Sequence, residues 1–142
     1  MKIREVMTGH VVRIHPEESV EVAARTLAQF NIGVLPVCTQ SGNLLGVVTD
    51  RDLVIRCLAV GKTPAQTKVR EVMTNRVHTV APDTETGVAA HLMGRQQVRR
   101  LAVTENGRLC GMVSLGDLAN REDTVMDAAD ALGDIVENIS HK

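Results

Sequence analysis

The spacing of apolar positions changes along the chain in a fixed order. The β-branched run "VVRI", residues 11–14, closed by Pro16, reads as a short strand. In "PEESVEVAARTLAQFN", Val20, Ala23, Ala24 and Leu27 fall at helical spacing. "GVLPVCT" and "LLGVVT" flank the turn signal "QSGN" and predict a hairpin. From Asp50, "DRDLVIRCLAV" returns to a helical period and meets a stop at Gly61. The predicted unit is β-α-β-β-α.

The same order then recurs. Shifting the chain by 66 residues lays "KIREVMT" (residues 2–8) over "KVREVMT" (68–74) with six identities in seven positions. Pro16 falls on Pro82, Val22-Ala23-Ala24 on Val88-Ala89-Ala90, Leu35 on Leu101 and Val37 on Val103. One residue drops out before "GVVTDRD" meets "GMVSLGD", and the offset becomes 65. Such a repeat governs any fold assignment. The sequence divides into repeat 1 (1–62), repeat 2 (63–121) and a tail (122–142). A three-stranded sheet cannot bury both faces alone, so the expected fold is α/β (α+β): two β-α-β-β-α units packed sheet to sheet about a pseudo-two-fold axis, helices outside. In the tail, Val125, Ala129, Leu132, Val136 and Ile139 share one face of an amphipathic helix, with Asp127, Asp130, Asp134 and Glu137 largely on the others. That helix either packs back on its own domain or forms a dimer contact.

Composition narrows the functional classes. The 142 residues suffice for a core without staples, since a chain of this length buries roughly 68–70% of its unfolded surface. A net charge of −1 gives no positive field for nucleic acid, and one Phe with no Tyr or Trp leaves nothing on which to stack bases. Nucleic acid is therefore not the expected partner. No apolar run reaches membrane-spanning length, and "MKIREVMTGH" has no apolar signal core, so a cytoplasmic protein is expected. Cys38, Cys57 and Cys110, odd in number and set among apolar residues, read as reduced core thiols. The five histidines form no ligand spacing with one another or with the cysteines, so no metal site is expected. "VGKTP" is not a phosphate loop, because Arg56 stands where the pattern needs Gly and Pro64 interrupts the following helix.

The chemistry concentrates at Thr49-x-x-Asp52 and its counterpart Ser114-x-x-Asp117, each at a strand-to-helix junction. One reading is structural: the hydroxyl caps the helix and the carboxylate answers as a capping box. The other is a ligand site. A carboxylate can accept both hydroxyls of a ribose, while a hydroxyl and helix-terminal N–H groups suit a phosphate. Arg51, Arg99 and Arg100 could add fork-shaped charge, or simply form a solvated face.

With its "VMT" openings, "IGVLPV" and "VRRLAV" strands, and "GVVTDRD" and "GMVSLGD" junctions, the chain over residues 1–121 resembles a tandem pair of CBS domains, the module named for cystathionine β-synthase. The stand-alone architecture and "TDRDLVIRCLAVGKTP" followed by "QQVRRLAV" are similar to the small bacterial members of the hypoxic response protein type. The resemblance implies two clefts for an adenosine-containing ligand: AMP, ADP or ATP, with S-adenosylmethionine and NADH as further candidates. One cleft would use Val12, Ile32, Gly33 and Pro36 around adenine with Met112, Ser114 and Asp117 toward ribose and phosphate. The other would use His78, Val98 and Arg99 with Val47, Thr49 and Asp52, and Arg51 and Arg100 are further phosphate candidates. Two departures stand out: Ala102 replaces Pro36, and Arg99 replaces Gly33. The implied role is a non-catalytic regulatory homodimer acting on a separate effector. The alternative is an interaction module with vestigial clefts.

Overall fold

The computed structural model describes residues 1–121 and 123–140, the last three by backbone only. It is a mixed α/β structure in two compact units. Residues 12–77 form one, and residues 1–11 together with 78–142 form the other.

In the unit of residues 12–77, α1 (Val20–Phe30) starts where the Ser19 hydroxyl accepts the Val22 N–H at 3.1 Å. The helix buries Val20, Ala23 and Leu27 but leaves Ala24 exposed. The hairpin follows as β1 (Val34–Cys38) and β2 (Leu44–Thr49). The predicted strand at 11–14 is reduced to a single parallel bridge between Ile14 and Val37. The helix predicted from Asp50 is regular only through α2 (Asp50–Leu53); Val54–Leu58 widen into a π-helical turn before Gly61 ends the segment at φ +80°. Short α3 (Val69–Val72) completes this unit by burying Val69 and Val72 in its core beside Leu35, Val37 and Val48.

The other unit repeats this plan with β3 (Thr79–Val80), α4 (Thr86–Gln96), β4 (Arg100–Glu105), β5 (Arg108–Ser114) and α5 (Leu115–Ala119). Its sheet runs β3-β4-β5, parallel then antiparallel. The opening residues join it: Ile3 is fully buried beside Leu101, Val103 and Val113.

The compact units thus cut the chain at different points from the sequence repeats. The leading segment of repeat 1 docks on the hairpin of repeat 2, and the leading segment of repeat 2 on the hairpin of repeat 1. Thr8 and Met112 exchange two backbone hydrogen bonds (2.8 and 3.0 Å), as do Thr74 and Val47 (2.8 and 3.0 Å). Ile3 N–H donates to Thr84 O and Arg4 N–H to Pro82 O; Val69 N–H donates to Glu18 O and Arg70 N–H to Pro16 O. Ion pairs follow the same rule, Lys2–Glu85 (2.8 Å) and Arg4–Asp83 (2.6 Å) in one unit, Lys68–Glu17 (2.6 Å) and Arg70–Glu17 (3.0 Å) in the other. The approach needs glycine: a Cβ on Gly111 would lie 2.5 Å from the Thr8 carbonyl oxygen, and one on Gly46 would strike the Thr74 carbonyl.

The tail helix, α6 (Val125–Ser140), packs on α4 and α5 of its own unit. Its buried positions are Ala128, Ala131 and Ile135, with Thr124 buried just ahead of it, not the face expected from sequence; Val125, Ala129, Leu132 and Val136 remain exposed, and the Ile139 side chain lies outside the described ones. Small residues decide this. α4 carries Gly87, Ala90 and Gly94 where α1 carries Glu21, Ala24 and Ala28, so α6 can approach until a Cβ on Gly94 would lie 2.8 Å from an Asp134 carboxylate oxygen. Ala90 is buried, whereas its counterpart Ala24 is exposed. Gln97 adds a latch, its Nε2 donating to the carbonyls of Gly94 (2.7 Å) and Asp134 (3.4 Å).

Two outcomes follow from the docking. Gly111→Ala should lower unfolding free energy by about 1–3 kcal/mol through overpacking. Gly9→Ala, where a Cβ meets nothing within 4 Å, should stay within about 0.5 kcal/mol in the same urea titrations. Second, hydrogen bonds from Lys68 and Lys2 hold Glu17 and Glu85 below their ordinary 4.5. Their contribution is complete above about pH 4.5 and is lost as pH falls through the lowered folded values. Urea midpoints should therefore drop on acidification below pH 4.5, and less so at high salt, which screens these exposed pairs.

Candidate functional site

Both Thr/Ser-x-x-Asp junctions close as capping boxes. The Asp52 N–H donates to Thr49 Oγ1 (3.0 Å) while the Thr49 N–H donates to Asp52 Oδ2 (3.0 Å). At the counterpart, the Asp117 N–H donates to Ser114 Oγ (3.1 Å) and the Ser114 N–H to Asp117 Oδ2 (2.8 Å). The backbone supports both in the same way, with Asp50 N–H donating to Gly33 O and Leu115 N–H to Arg99 O.

The two carboxylates differ in what else they hold. Asp52 is 7% exposed. It also accepts the Thr74 hydroxyl (3.2 and 3.3 Å) and lies 3.8 Å from Arg56 Nε. Asp117 is half-buried, and no further partner meets it among the described residues. Arg121, the counterpart of Arg56, pairs instead with Asp123 at 3.7 Å. Asp52 is thus occupied by the fold, while Asp117 keeps acceptor capacity.

The remaining candidates follow the strand registers. In the unit of residues 12–77, Pro36 stands opposite Val47, and Thr49 opposite Val34. Pro36 is buried, Val12, Gly33 and Val47 are half-buried, and Ile32 and Arg51 are exposed. In the other unit, Met112 faces Ala102 and Ser114 faces Arg100. Met112 and Val98 are half-buried; His78, Arg99 and Arg100 are exposed. Among the described residues no carboxylate pairs with Arg99, Arg100 or Arg51.

A cavity of about 610 Å³ opens beside Arg99, Arg100 and Ser114, within the range of small-molecule sites. Leu115, Gly116, Ala119 and the α6 residues Val125, Ala128, Ala129 and Leu132 complete its lining. Sequence reasoning assigned none of these seven; the apolar face at 125, 129 and 132 was the available signal. It also missed Thr74, whose signal was the second "VMT". Among the described residues, no group of three or more His, Cys, Asp or Glu side chains could hold a metal, and no helix is long and apolar enough to cross a membrane. The cysteines are free; Cys38 and Cys57 are buried, Cys110 half-buried, and burial pushes the Cys38 thiol up.

Denaturant unfolding separates the two junctions. Asp52→Ala should cost about 2 kcal/mol, removing a cap and the partner of the half-buried Thr74 hydroxyl, and Asp117→Ala about 0.5–1 kcal/mol, removing the cap alone. Equal losses would contradict the asymmetry.

Comparison with known proteins agrees with this architecture. The family model described as CBS domain matches twice, over residues 3–58 and 69–124. The chain is 36% identical to the CBS domain-containing protein YhcV of Bacillus subtilis over 140 residues, covering 99% of this chain and 96% of that protein. It superposes with a TM-score of 0.77 and 30% identity on the crystal structure of Hypoxic Response Protein I with two coordinated zinc ions, covering 85% of this chain and 98% of that one. A hexameric CBS-CP12 protein from bloom-forming cyanobacteria superposes with a TM-score of 0.72 and 26% identity, covering 89% and 73%.

Proposed function

The chain belongs to the CBS domain family, and from that premise we propose that it is a ligand-sensing regulatory module for an adenosine-containing nucleotide of the AMP, ADP or ATP class. The observation that carries this reading is the contrast between the carboxylates: Asp117 retains acceptor capacity beside Ser114, in the same unit as the guanidiniums of Arg99 and Arg100, which meet no carboxylate among the described residues. Asp117 receives ribose hydroxyls, and Ser114 with the arginines receives phosphate. Asp52, already engaged by Thr49, Thr74 and Arg56, is the weaker ligand group. The module is non-catalytic and acts by linkage: a nucleotide favouring one conformation shifts the population toward it by its differential affinity, and a separate effector reads the shift.

The proposed assembly is a homodimer. Val54, Ile55, Leu58 and Val60 are exposed along the segment after α2, an apolar surface suited to a second copy. A second reading, an interaction module with vestigial clefts, is favoured by the complete capping role of Asp52.

Thermal unfolding with AMP, ADP and ATP, with sedimentation on the same samples, decides between them. At about 100 times its dissociation constant a ligand adds about 2.7 kcal/mol. The expected result is a midpoint rise of several degrees that Asp117→Ala abolishes and Asp52→Ala largely retains, on a two-chain particle. A flat response from folded protein would favour the interaction module.

A further inference from the structure

We propose that the groove between α5 and α6 is a binding site for an anion that carries an aliphatic body, with the anionic group at Arg99 and Arg100 and the hydrocarbon against α6. The lining of the cavity combines two chemically distinct groups of residues. Of its described lining residues only Arg99 and Arg100 are charged, and its aliphatic lining is Leu115, Ala119, Val125 and Leu132. Val125 and Leu132 are each 40% exposed, so hydrocarbon that covers them gains apolar burial. Asp127, Asp130 and Asp134 of α6 do not line this cavity; they line a separate depression with His91 and Gly87 on the α4 side. An anion is therefore the complementary head group, and the arginine fork suits carboxylate or phosphate alike. The wall has no aromatic ring, so it favours a flexible aliphatic body over a stacked base. The site shares Arg99, Arg100 and Ser114 with the nucleotide reading, but its α6 wall and its hydrocarbon requirement are independent of that reading.

Calorimetric titration of the full chain tests this with octyl phosphate below its micellar concentration, inorganic phosphate, octanoate, octanoyl-coenzyme A and AMP. The expected result is that octyl phosphate binds at least tenfold more tightly than inorganic phosphate. Leu132→Asp should remove that advantage, and so should Ala129→Trp, which fills the groove from an exposed position, with helix content unchanged by circular dichroism. Arg100→Ala should weaken octyl phosphate and octanoate together. Tightest binding by octyl phosphate or octanoate identifies a free alkyl anion as the natural class; tightest binding by octanoyl-coenzyme A, still sensitive to Leu132→Asp, identifies a nucleotide-borne chain. Equal affinity for octyl and inorganic phosphate, or indifference to both α6 variants, overturns the inference. AMP binding that depends on Asp117 while octyl phosphate fails would leave the nucleotide reading standing alone. Octyl phosphate binding with a flat AMP titration would do the reverse.

Discussion

Everything in the two units hangs on a backbone contact made twice: Thr8 against Met112 over Gly111, and Thr74 against Val47 over Gly46. Each contact places a peptide plane where a Cβ would otherwise sit, which is why a glycine opens both "GVVT" and "GMVS". Each also delivers an apolar plug, Ile3 or Val69, to a core that lacks it. The docked segment comes from the other sequence repeat in both cases. A repeat cut at residue 62 would lose Val69 and Val72, and with them the edge of its own hairpin. The duplication is therefore obligate in structure as well as visible in sequence.

On this shared frame the two halves have diverged in chemistry. Where α1 has Glu21 and Ala28, α4 has Gly87 and Gly94, and that exchange admits α6 to close range. Once α6 is seated, its aliphatic face stands over the end of β4 and β5 and turns an open strand terminus with two arginines into a cavity. The other unit has no such cover among the described residues and leaves Val54, Ile55, Leu58 and Val60 exposed. The junction carboxylates diverge in parallel. Asp52 is consumed by Thr74 and Arg56, and Asp117 is released because Arg121 turns to Asp123. The Asp52 carboxylate is engaged by the fold, and the Asp117 carboxylate keeps acceptor capacity among the described residues.

The sequence by itself determined the repeat, the helix and hairpin that recur within it, and capping boxes as one of two readings of the junctions, because these depend on local periodicity and on contacts within a few residues. The sequence assigned Ser114 and Arg99 to different clefts, whereas the strand register sets Arg100 opposite Ser114 and the cavity brings Arg99, Arg100 and Ser114 to one lining. What only the tertiary structure decided involves partners far apart in the chain. The exchange of leading segments joins Thr8 to Met112 and Thr74 to Val47, partners that lie in different sequence repeats, so no local window of sequence displays it. The opening strand is a single bridge of Ile14 to Val37, held by backbone hydrogen bonds of Ile14 to Pro36 and Cys38. The buried face of α6 rotated away from its most hydrophobic stripe because the packing surface offered by α4 is made of glycine and alanine: close backbone approach rewards Ala128 and Ala131, and leaves the larger Val125 and Leu132 to line a cavity. Hydrophobicity ranks which residues prefer burial, but the shape of the partner surface decides which of them obtain it.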